Sequence, residues 1–292
     1  MTEKVLKNIL NIFAAVCIFG AGAFLGNTAE LLSGNASLQV VLHTAVEVAA
    51  VLVIGVLYCR EILKMTPNEI GLNSIRFSPV WIIVSVVLPG IILMFYRFWL
   101  PGTVQTGENT EIAENVIYAV CKAGISAGIA EEFVFRGMIF RYMRKTLGTV
   151  PAVVIPSAVF AALHLVNLQG ADIPDVVQVL VSSSLAAGMF SVIVLLTDSI
   201  WPAALVHAVW NILLIGRIFG IGETVNGMRN DSLIRIMPDC TARLLTGGRF
   251  GVEAALPAML GFSSVMIICS IKYRKTVKPE NKSLLEIENG IL

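Results

Sequence analysis

Apolar residues occur along the chain in eight long segments, separated by shorter stretches that contain polar, charged or turn-forming residues. A helix needs about 20 mostly apolar residues to cross the hydrocarbon core of a bilayer. The pattern therefore predicts an all-α, polytopic membrane bundle of about eight transmembrane helices. We expect one integral-membrane domain over 1–272 and a polar cytoplasmic tail over 273–292. The predicted spans are 8–27, 38–59, 78–98, 116–140, 150–169, 175–197, 200–219 and 251–271.

The composition supports this class. Hydrophobic residues make up 56% of the chain and charged residues 14%, whereas soluble proteins are typically about 25% charged. The mean hydropathy is +0.81. A net charge of +1 gives no electrostatic reason to expect nucleic acid as a partner. The five cysteines form no CxxC pair, so neither a disulfide framework nor a thiolate metal site is indicated.

The distribution of lysine and arginine predicts the orientation, because cytoplasmic loops are enriched in these residues. With both termini in the cytoplasm, thirteen basic residues are cytoplasmic and six lie outside, five of them around the 220–250 loop. That loop is interpreted either as partly re-entrant or as the sign of a miscounted span. The thirteen are Lys4, Lys7, Arg60, Lys64, Arg76, Arg141, Arg144, Lys145, Lys272, Arg274, Lys275, Lys278 and Lys282; the six are Arg97, Arg217, Arg229, Arg235, Arg243 and Arg249.

A charged side chain in the middle of a membrane helix is costly and usually has a function or a partner. Glu132 and Arg136 are spaced i, i+4 in the fourth segment, which predicts an ion pair. Glu131 has no such local partner. It lies 17 residues before Gly148 and His164 lies 16 residues after it. An antiparallel hairpin at about 1.5 Å per residue places both side chains roughly 25 Å from the turn, so we expect them side by side.

Two further polar pairs lie in apolar segments. His207 and Asn211 are spaced i, i+4, so they project from one helix face and could donate hydrogen bonds to an oxyanion. His207 lies only about 11 Å beyond Ile200, shallower than His164, unless the seventh helix is tilted or begins inside the membrane. The second pair, His43 and Glu47, is interpreted as structural or channel-lining.

Three motifs together resemble one family. "EEFVFR" (131–136), "FAALH" (160–164) and "HAVWN" (207–211) are similar, in order and spacing, to the EExxxR, FxxxH and HxxxN motifs of the CPBP intramembrane proteases. These are relatives of the type II CAAX prenyl endopeptidase and are also called Abi proteins. The motif-bearing core covers about 114–220. HExxH and GxGD, the signatures of zinc and aspartyl intramembrane proteases, are absent from the sequence.

The resemblance implies an eight-helix bundle with a catalytic cavity open toward the cytosol. By analogy, Glu131 is the general base and activates water with His164, while His207 and Asn211 stabilise the oxyanion. Glu132, Arg136 and Phe160 support the site. Glu131, His164 and His207 are also suitable ligand types for a catalytic zinc ion, so a metalloprotease stays possible at this point.

The expected substrate is a membrane-associated or lipidated peptide or protein, and no sequence feature indicates whether it is prenylated. Two alternatives from other classes stay open. The first is a non-catalytic membrane binding or bacteriocin-immunity protein that keeps the bundle. The second is a small-solute transporter that uses the buried charges as a relay, which predicts an internal inverted repeat; the sequence shows none.

Overall fold

The computed structural model describes residues 2–73, 75, 77–107, 111–168, 170–225 and 227–288, and Arg76 of the predicted cytoplasmic set lies outside them. Within these residues the chain is an all-α polytopic bundle with a small β-structured cap. The helices are α1 (Thr2–Glu30), α2 (Ala36–Tyr58), α3 (Pro79–Phe98), α4 (Ile112–Leu147), α5 (Thr149–His164), α6 (Ile173–Thr197), α7 (Trp201–Leu214), the short α8 (Arg243–Thr246) and α9 (Leu256–Glu288).

Six of the described helices are long and apolar enough to cross a membrane: α1, α2, α3, α4, α6 and the Leu256–Thr276 part of α9. The helices α5 and α7 are apolar but shorter. Each of the eight predicted segments therefore forms a helix, and the number of membrane crossings stays a prediction at eight. Because successive helices run in opposite directions, α1 begins and α9 ends at the same end of the bundle.

Helix α6 forms the centre of the bundle. In its most apolar window 72% of the residues are buried, against 22–33% in the other five long helices. Asp172 begins this helix by accepting a hydrogen bond from the Asp175 N–H at 2.9 Å, and a proline follows in the first turn. Small buried residues, including Ala187 and Gly188, then allow α5, α7 and α9 to pack closely against it.

Helix α4 has an unusual backbone. Its central segments, Tyr118–Glu131 and Phe133–Phe140, have wide π-type turns, whereas both of its ends are regular α-helix. Such turns are rare and occur mostly at functional sites. Glycines allow this helix to approach α7 closely: a Cβ on Gly128 would lie 2.8 Å from the Ala204 carbonyl oxygen and 2.8 Å from the Ala208 Cβ.

The predicted arginine-rich loop contains short strands and turns rather than a further long apolar helix. It folds into a cap, which we define as residues 102–106, 219–225 and 227–254. Strand β5 (Ile234–Pro238) pairs antiparallel with β1 (Gly102–Thr106) and parallel with β2 (Phe219–Ile221), while β3 (Thr224–Val225) pairs antiparallel with β4 (Met228–Arg229). The sequence pattern missed these strands because each has five residues or fewer.

The cap is tied to the bundle at the end where α3 and α7 finish and α6 starts. Tyr96 donates a hydrogen bond to the Leu245 carbonyl, and the Gln178 amide donates to the carbonyls of Arg243 at 3.1 Å and Ala254 at 2.7 Å. We call this end of the bundle the cap end, and the opposite end, where α1 begins and α9 ends, the basic end.

The last helix differs from its prediction at both ends. It begins at Leu256 rather than at 251, because Gly251 has a φ of +95° and residues 252–254 form a 3-10 turn of the cap. It then continues to Glu288, so the predicted tail is helical over most of its length, while residues 289–292 lie outside the described part of the chain.

Candidate active site

The four side chains predicted to carry out the chemistry line one cavity. Glu131 comes from α4, His164 from the last residue of α5, and His207 and Asn211 from successive turns of α7. The cavity has a volume of about 200 Å³. Its lining consists of Phe19, Glu131, Phe135, Phe160, Leu163, His164, His207, Asn211, Ile215 and Glu253. The structure therefore brings together residues that are up to 80 positions apart in the sequence (131 to 211).

The predicted ion pair between Glu132 and Arg136 is present. Arg136 Nη1 donates to Glu132 Oε1 at 2.8 Å, and the two side chains are 1% and 0% exposed. The guanidinium also donates through Nη2 to the Ala187 carbonyl at 3.2 Å, and it lies over the rings of Phe160 and Phe190. Since an unpaired charge at this depth would be very costly, the pair fixes the α4 backbone next to Glu131.

Glu132 has a second role that the sequence did not indicate. Its Oε1 also accepts a hydrogen bond from His207 Nδ1 at 2.8 Å, so one carboxylate oxygen joins α4 to α7. The ring of Phe190 stacks on His207 at a centroid distance of 4.7 Å and an angle of 17°. The carboxylate and the stacked ring together fix the imidazole orientation, with Nε2 pointing away from Glu132.

His164 is oriented in a similar way. Its Nδ1 donates to the carbonyl of Phe160, four residues earlier in α5, at 2.9 Å, and the two rings lie 4.4 Å apart. Phe160 is 4% exposed and also faces the guanidinium of Arg136. This contact gives a physical reason for the F-x-x-x-H spacing, because the residue at the phenylalanine position holds the histidine ring by its carbonyl and its side chain.

Glu131 lines the cavity with a side chain that is 23% exposed. Its Oε2 lies 4.0 Å from His207 Nε2, whereas no ion pair within the described residues joins it to His164. Both side chains line the same cavity, as their matched depth predicted, and a direct contact between them stays a prediction. The π-type turns of α4 set the rise and the direction of its side chains, so the exact separation could not be read from a regular helix.

The depth of His207, which the sequence left in doubt, is explained by the start of α7. Ile200, just before this helix, is fully buried, and its N–H donates to the Gly71 carbonyl at 3.2 Å. Helix α7 therefore begins beneath residues 66–73 rather than at the surface. His207 accordingly lies level with the acidic pair of α4, within 2.8 Å of Glu132 and 4.0 Å of Glu131.

Asn211 is 8% exposed, and its buried amide oxygen Oδ1 has no hydrogen-bond partner among the described residues. A buried polar group without a partner is costly. Because this amide lines the cavity one turn beyond His207, its N–H groups are available to a ligand there.

Glu253 is a cavity residue that sequence reasoning missed. It belongs to the 3-10 turn of the cap, is half-buried, and has no hydrogen bond or ion pair to the described residues. A signal was available, because Glu253 is the one acidic residue of the predicted 251–271 span. It was not used because no second polar residue accompanies it at helical spacing.

His43 and Glu47 do not line the cavity. They form a separate buried network in which Glu47 Oε2 lies 3.1 Å from His43 Nε2 and accepts a hydrogen bond from Ser126. The His43 Nδ1 lies 2.7 Å from Glu30, and Lys122 contacts both His43 and Glu47. The network joins α1, α2 and α4, which agrees with the structural interpretation.

The three possible zinc ligands do not form a metal centre as they stand. Among the described residues no group of three or more His, Cys, Asp or Glu side chains has an arrangement that could hold a metal ion. Glu131 Oε2 and His207 Nε2 are 4.0 Å apart, and the hydrogen bonds at Nδ1 of His164 and His207 leave only Nε2 of each ring for a ligand. We therefore derive no step through a metal.

The position of the cavity conflicts with one expectation. The resemblance implied a cavity open toward the cytosol, and the basic residues predicted cytoplasmic termini. In the structure, however, the cavity reaches the cap end through Glu253 and Ile215, and both ends of the described chain lie at the basic end. The two expectations cannot both hold.

Fold and site together define the chain as a multi-pass, all-α membrane protein with a polar cavity in its helical core. Residues 113–213 match the family described as "Rce1-like: Type II CAAX prenyl endopeptidase Rce1-like", which confirms the resemblance carried by the three motifs. The match covers the motif helices α4, α5, α6 and α7 and leaves the other helices unmatched. No curated protein and no solved structure matches the chain.

Proposed function

We propose that the protein is an intramembrane endopeptidase that hydrolyses a peptide bond in a membrane-associated or lipidated peptide by activating water. The match of residues 113–213 supports a CAAX-type membrane protease. The observation that carries the mechanism is that one cavity is lined by Glu131, His164, His207 and Asn211. In both histidines Nδ1 is hydrogen-bonded to the protein, which fixes the orientation of the ring.

The nucleophile is a water molecule between α4 and α5. His164 Nδ1–H donates a hydrogen bond to the Phe160 carbonyl, so the proton of the neutral ring is on Nδ1. Nε2 is therefore free to accept a hydrogen bond from that water. The Glu131 carboxylate accepts the other hydrogen as the water oxygen attacks the scissile carbonyl carbon. The partly enclosed cavity limits competing solvent and strengthens these interactions.

The attack produces a tetrahedral intermediate with a negatively charged oxygen. Asn211 donates an N–H to this oxygen, and His207 in its imidazolium form donates Nε2–H while Nδ1–H stays with Glu132. When the C–N bond breaks, protonated Glu131 transfers its proton to the leaving nitrogen. The products are a carboxylic acid and an amine, and the enzyme returns to its starting state.

The test is cleavage of quenched fluorogenic peptides that carry an acyl or a prenyl anchor, with purified protein in bicelles. Glu131→Gln and His164→Ala should each lower kcat by at least about 100-fold, since a positioned base contributes about 10²–10⁴. Glu61→Gln, at an exposed glutamate of the basic end, is the matched control and should keep full activity.

Unchanged turnover in Glu131→Gln would remove this mechanism. If the protein is instead a non-catalytic binding or immunity protein, its cellular phenotype does not depend on hydrolysis. The alanine variants of Glu131, His164 and His207 would then keep the phenotype of the parent at equal expression. The two proposals are therefore separated by the same set of variants.

A further inference from the structure

The catalytic cavity is placed asymmetrically between the two ends of the bundle. His164 is the last residue of α5, Ile215 follows the last residue of α7, and Glu253 belongs to the cap. In contrast, none of the lining residues comes from 59–78, 141–151 or 197–201, the connections at the basic end. The cavity is thus closer to the membrane face at which the cap lies.

The two ends also differ in charge. Ten described lysine and arginine side chains lie at the basic end, and four of them, Arg60, Lys64, Arg144 and Lys145, flank the ends of α2 and α4 directly. The cap end carries six arginines, and Lys122 lies farther inside α4, where it contacts Glu47. Short, strongly basic connections are retained on the cytoplasmic side during insertion.

The six arginines of the cap end do not outweigh this bias. Arg243 pairs with Asp172 and lies 3.4 Å from Asp175, and Arg217 lies 3.6 Å from Asp231 and over the ring of Tyr118. Even when all six arginines of the cap end are counted, they are fewer than the ten basic residues of the basic end, and the side with more lysine and arginine is the cytoplasmic one. The basic end is therefore assigned to the cytoplasm and the cap end to the outside.

We propose that the catalytic cavity opens on the extracytoplasmic side of the membrane, so that the peptide bond to be cleaved is presented from that side. The substrate class is then a membrane-anchored peptide whose cleavage site lies just beneath the outer interface. This statement about the substrate rests on the proposed function, whereas the sidedness of the cavity does not. It reverses the cytosolic opening that the family resemblance implied.

Two exposed positions serve as reporters of sidedness. Thr241→Cys reports on the cap and Glu61→Cys on the basic end, each in a variant whose five native cysteines are replaced by serine or alanine. Intact cells are treated with a membrane-impermeant maleimide before and after permeabilisation. We expect Thr241→Cys to be labelled in intact cells and Glu61→Cys only after permeabilisation. The reverse pattern overturns the proposal.

A second measurement tests access to the site. Protein is reconstituted into sealed vesicles, the fraction of each orientation is found by the same labelling, and an acyl-anchored fluorogenic peptide is added outside. Cleavage should scale with the fraction whose cap faces outward. Scaling with the opposite fraction overturns the proposal. Absence of cleavage in both, and also in bicelles, counts against the proposed protease function and leaves the labelling result to decide sidedness.

Discussion

Glu132 contacts both Arg136 and His207, so its contribution to the stability of the bundle and its contribution to catalysis can be measured separately. Glu132 Oε1 accepts hydrogen bonds from Arg136 Nη1 and His207 Nδ1, each at 2.8 Å, in a site where all three side chains are at most 5% exposed. Glu132→Gln preserves the shape of the side chain and removes its charge. It therefore leaves a buried guanidinium without a counter-ion and weakens the hydrogen bond that orients His207.

Removing one member of a buried ion pair costs about 3–5 kcal/mol of folding free energy, because the remaining charge is uncompensated. Replacing both members by uncharged residues is often neutral. The double variant Glu132→Gln/Arg136→Met should therefore recover most of the loss. The Ala187 carbonyl, which loses its bond from Arg136, still accepts one from the Ser191 hydroxyl at 2.9 Å.

Activity should not recover with stability. In metal sites, a group that orients a histidine through its second ring nitrogen is typically worth about 10–100-fold in activity, and we expect at least a similar effect for Glu132. Since neither variant holds His207 through a carboxylate, both should lose at least that factor in kcat for the anchored fluorogenic peptide. This result would distinguish Glu132 as a positioning residue from a residue that only stabilises the bundle.

Stability is measured by denaturant unfolding in mixed micelles, followed by tryptophan fluorescence. Glu61→Gln is the control: its partner Arg60 lies at 3.3 Å, and both side chains are at least 60% exposed, so we expect a change of about 0–1 kcal/mol. A single variant as stable as the parent would refute the reasoning, and so would a double variant no more stable than the single one.

Three further outcomes follow from the contacts. Gly128→Ala should cost about 1–3 kcal/mol of stability by overpacking against α7, whereas Gly20→Ala, where a Cβ meets nothing within 4 Å, should be nearly neutral in the same unfolding assay. Phe190→Leu removes the ring stacked on one cavity imidazole and should lower kcat more than it raises KM, in steady-state kinetics with the anchored peptide. The pKa of Asp172 is lowered from 3.8 to about 2, chiefly by the hydrogen bond from Arg243 and secondly by that from the Asp175 N–H. This link between cap and bundle is therefore intact above pH 4 and weakens as the pH falls toward 2. Cleavage of the cap by pepsin, divided at each pH by its cleavage of an unstructured reference peptide, should therefore rise more steeply across that interval in the parent than in Asp172→Asn.

Much of the fold could be predicted from the sequence because the bilayer imposes strong rules on helix length and polarity. All eight predicted apolar segments form helices, and the boundaries of α3 and α6 agree with prediction within two residues. The cap could not be predicted in this way. Its strands are short, and β1 pairs with β5 across more than 100 residues, as Val104 does with Ile236; such pairing leaves no local period in the sequence.

In the candidate site too, contacts within one helix could be predicted from the sequence, whereas contacts between helices could not. Spacing alone indicated the Glu132–Arg136 pair, because both residues lie on one helix. The partner of His207 could not be found by spacing, since Glu132 reaches it from another helix and only the packing of α4 on α7 sets that distance. The separation of Glu131 and His164 depends in the same way on the backbone of α4, so spacing predicted that they share a cavity but not the distance between them.

The amino-acid sequence by itself determined that the chain is a polytopic membrane protein, and it identified the polar residues that these helices carry at depth. Both are local properties, governed by the cost of placing each segment in hydrocarbon. Only the tertiary structure decided which imidazole meets Glu131 and which carboxylate orients His207. It also brought Glu253 into the cavity and placed that cavity toward the cap. These are distances between segments remote in the chain, and they depend on how whole helices pack.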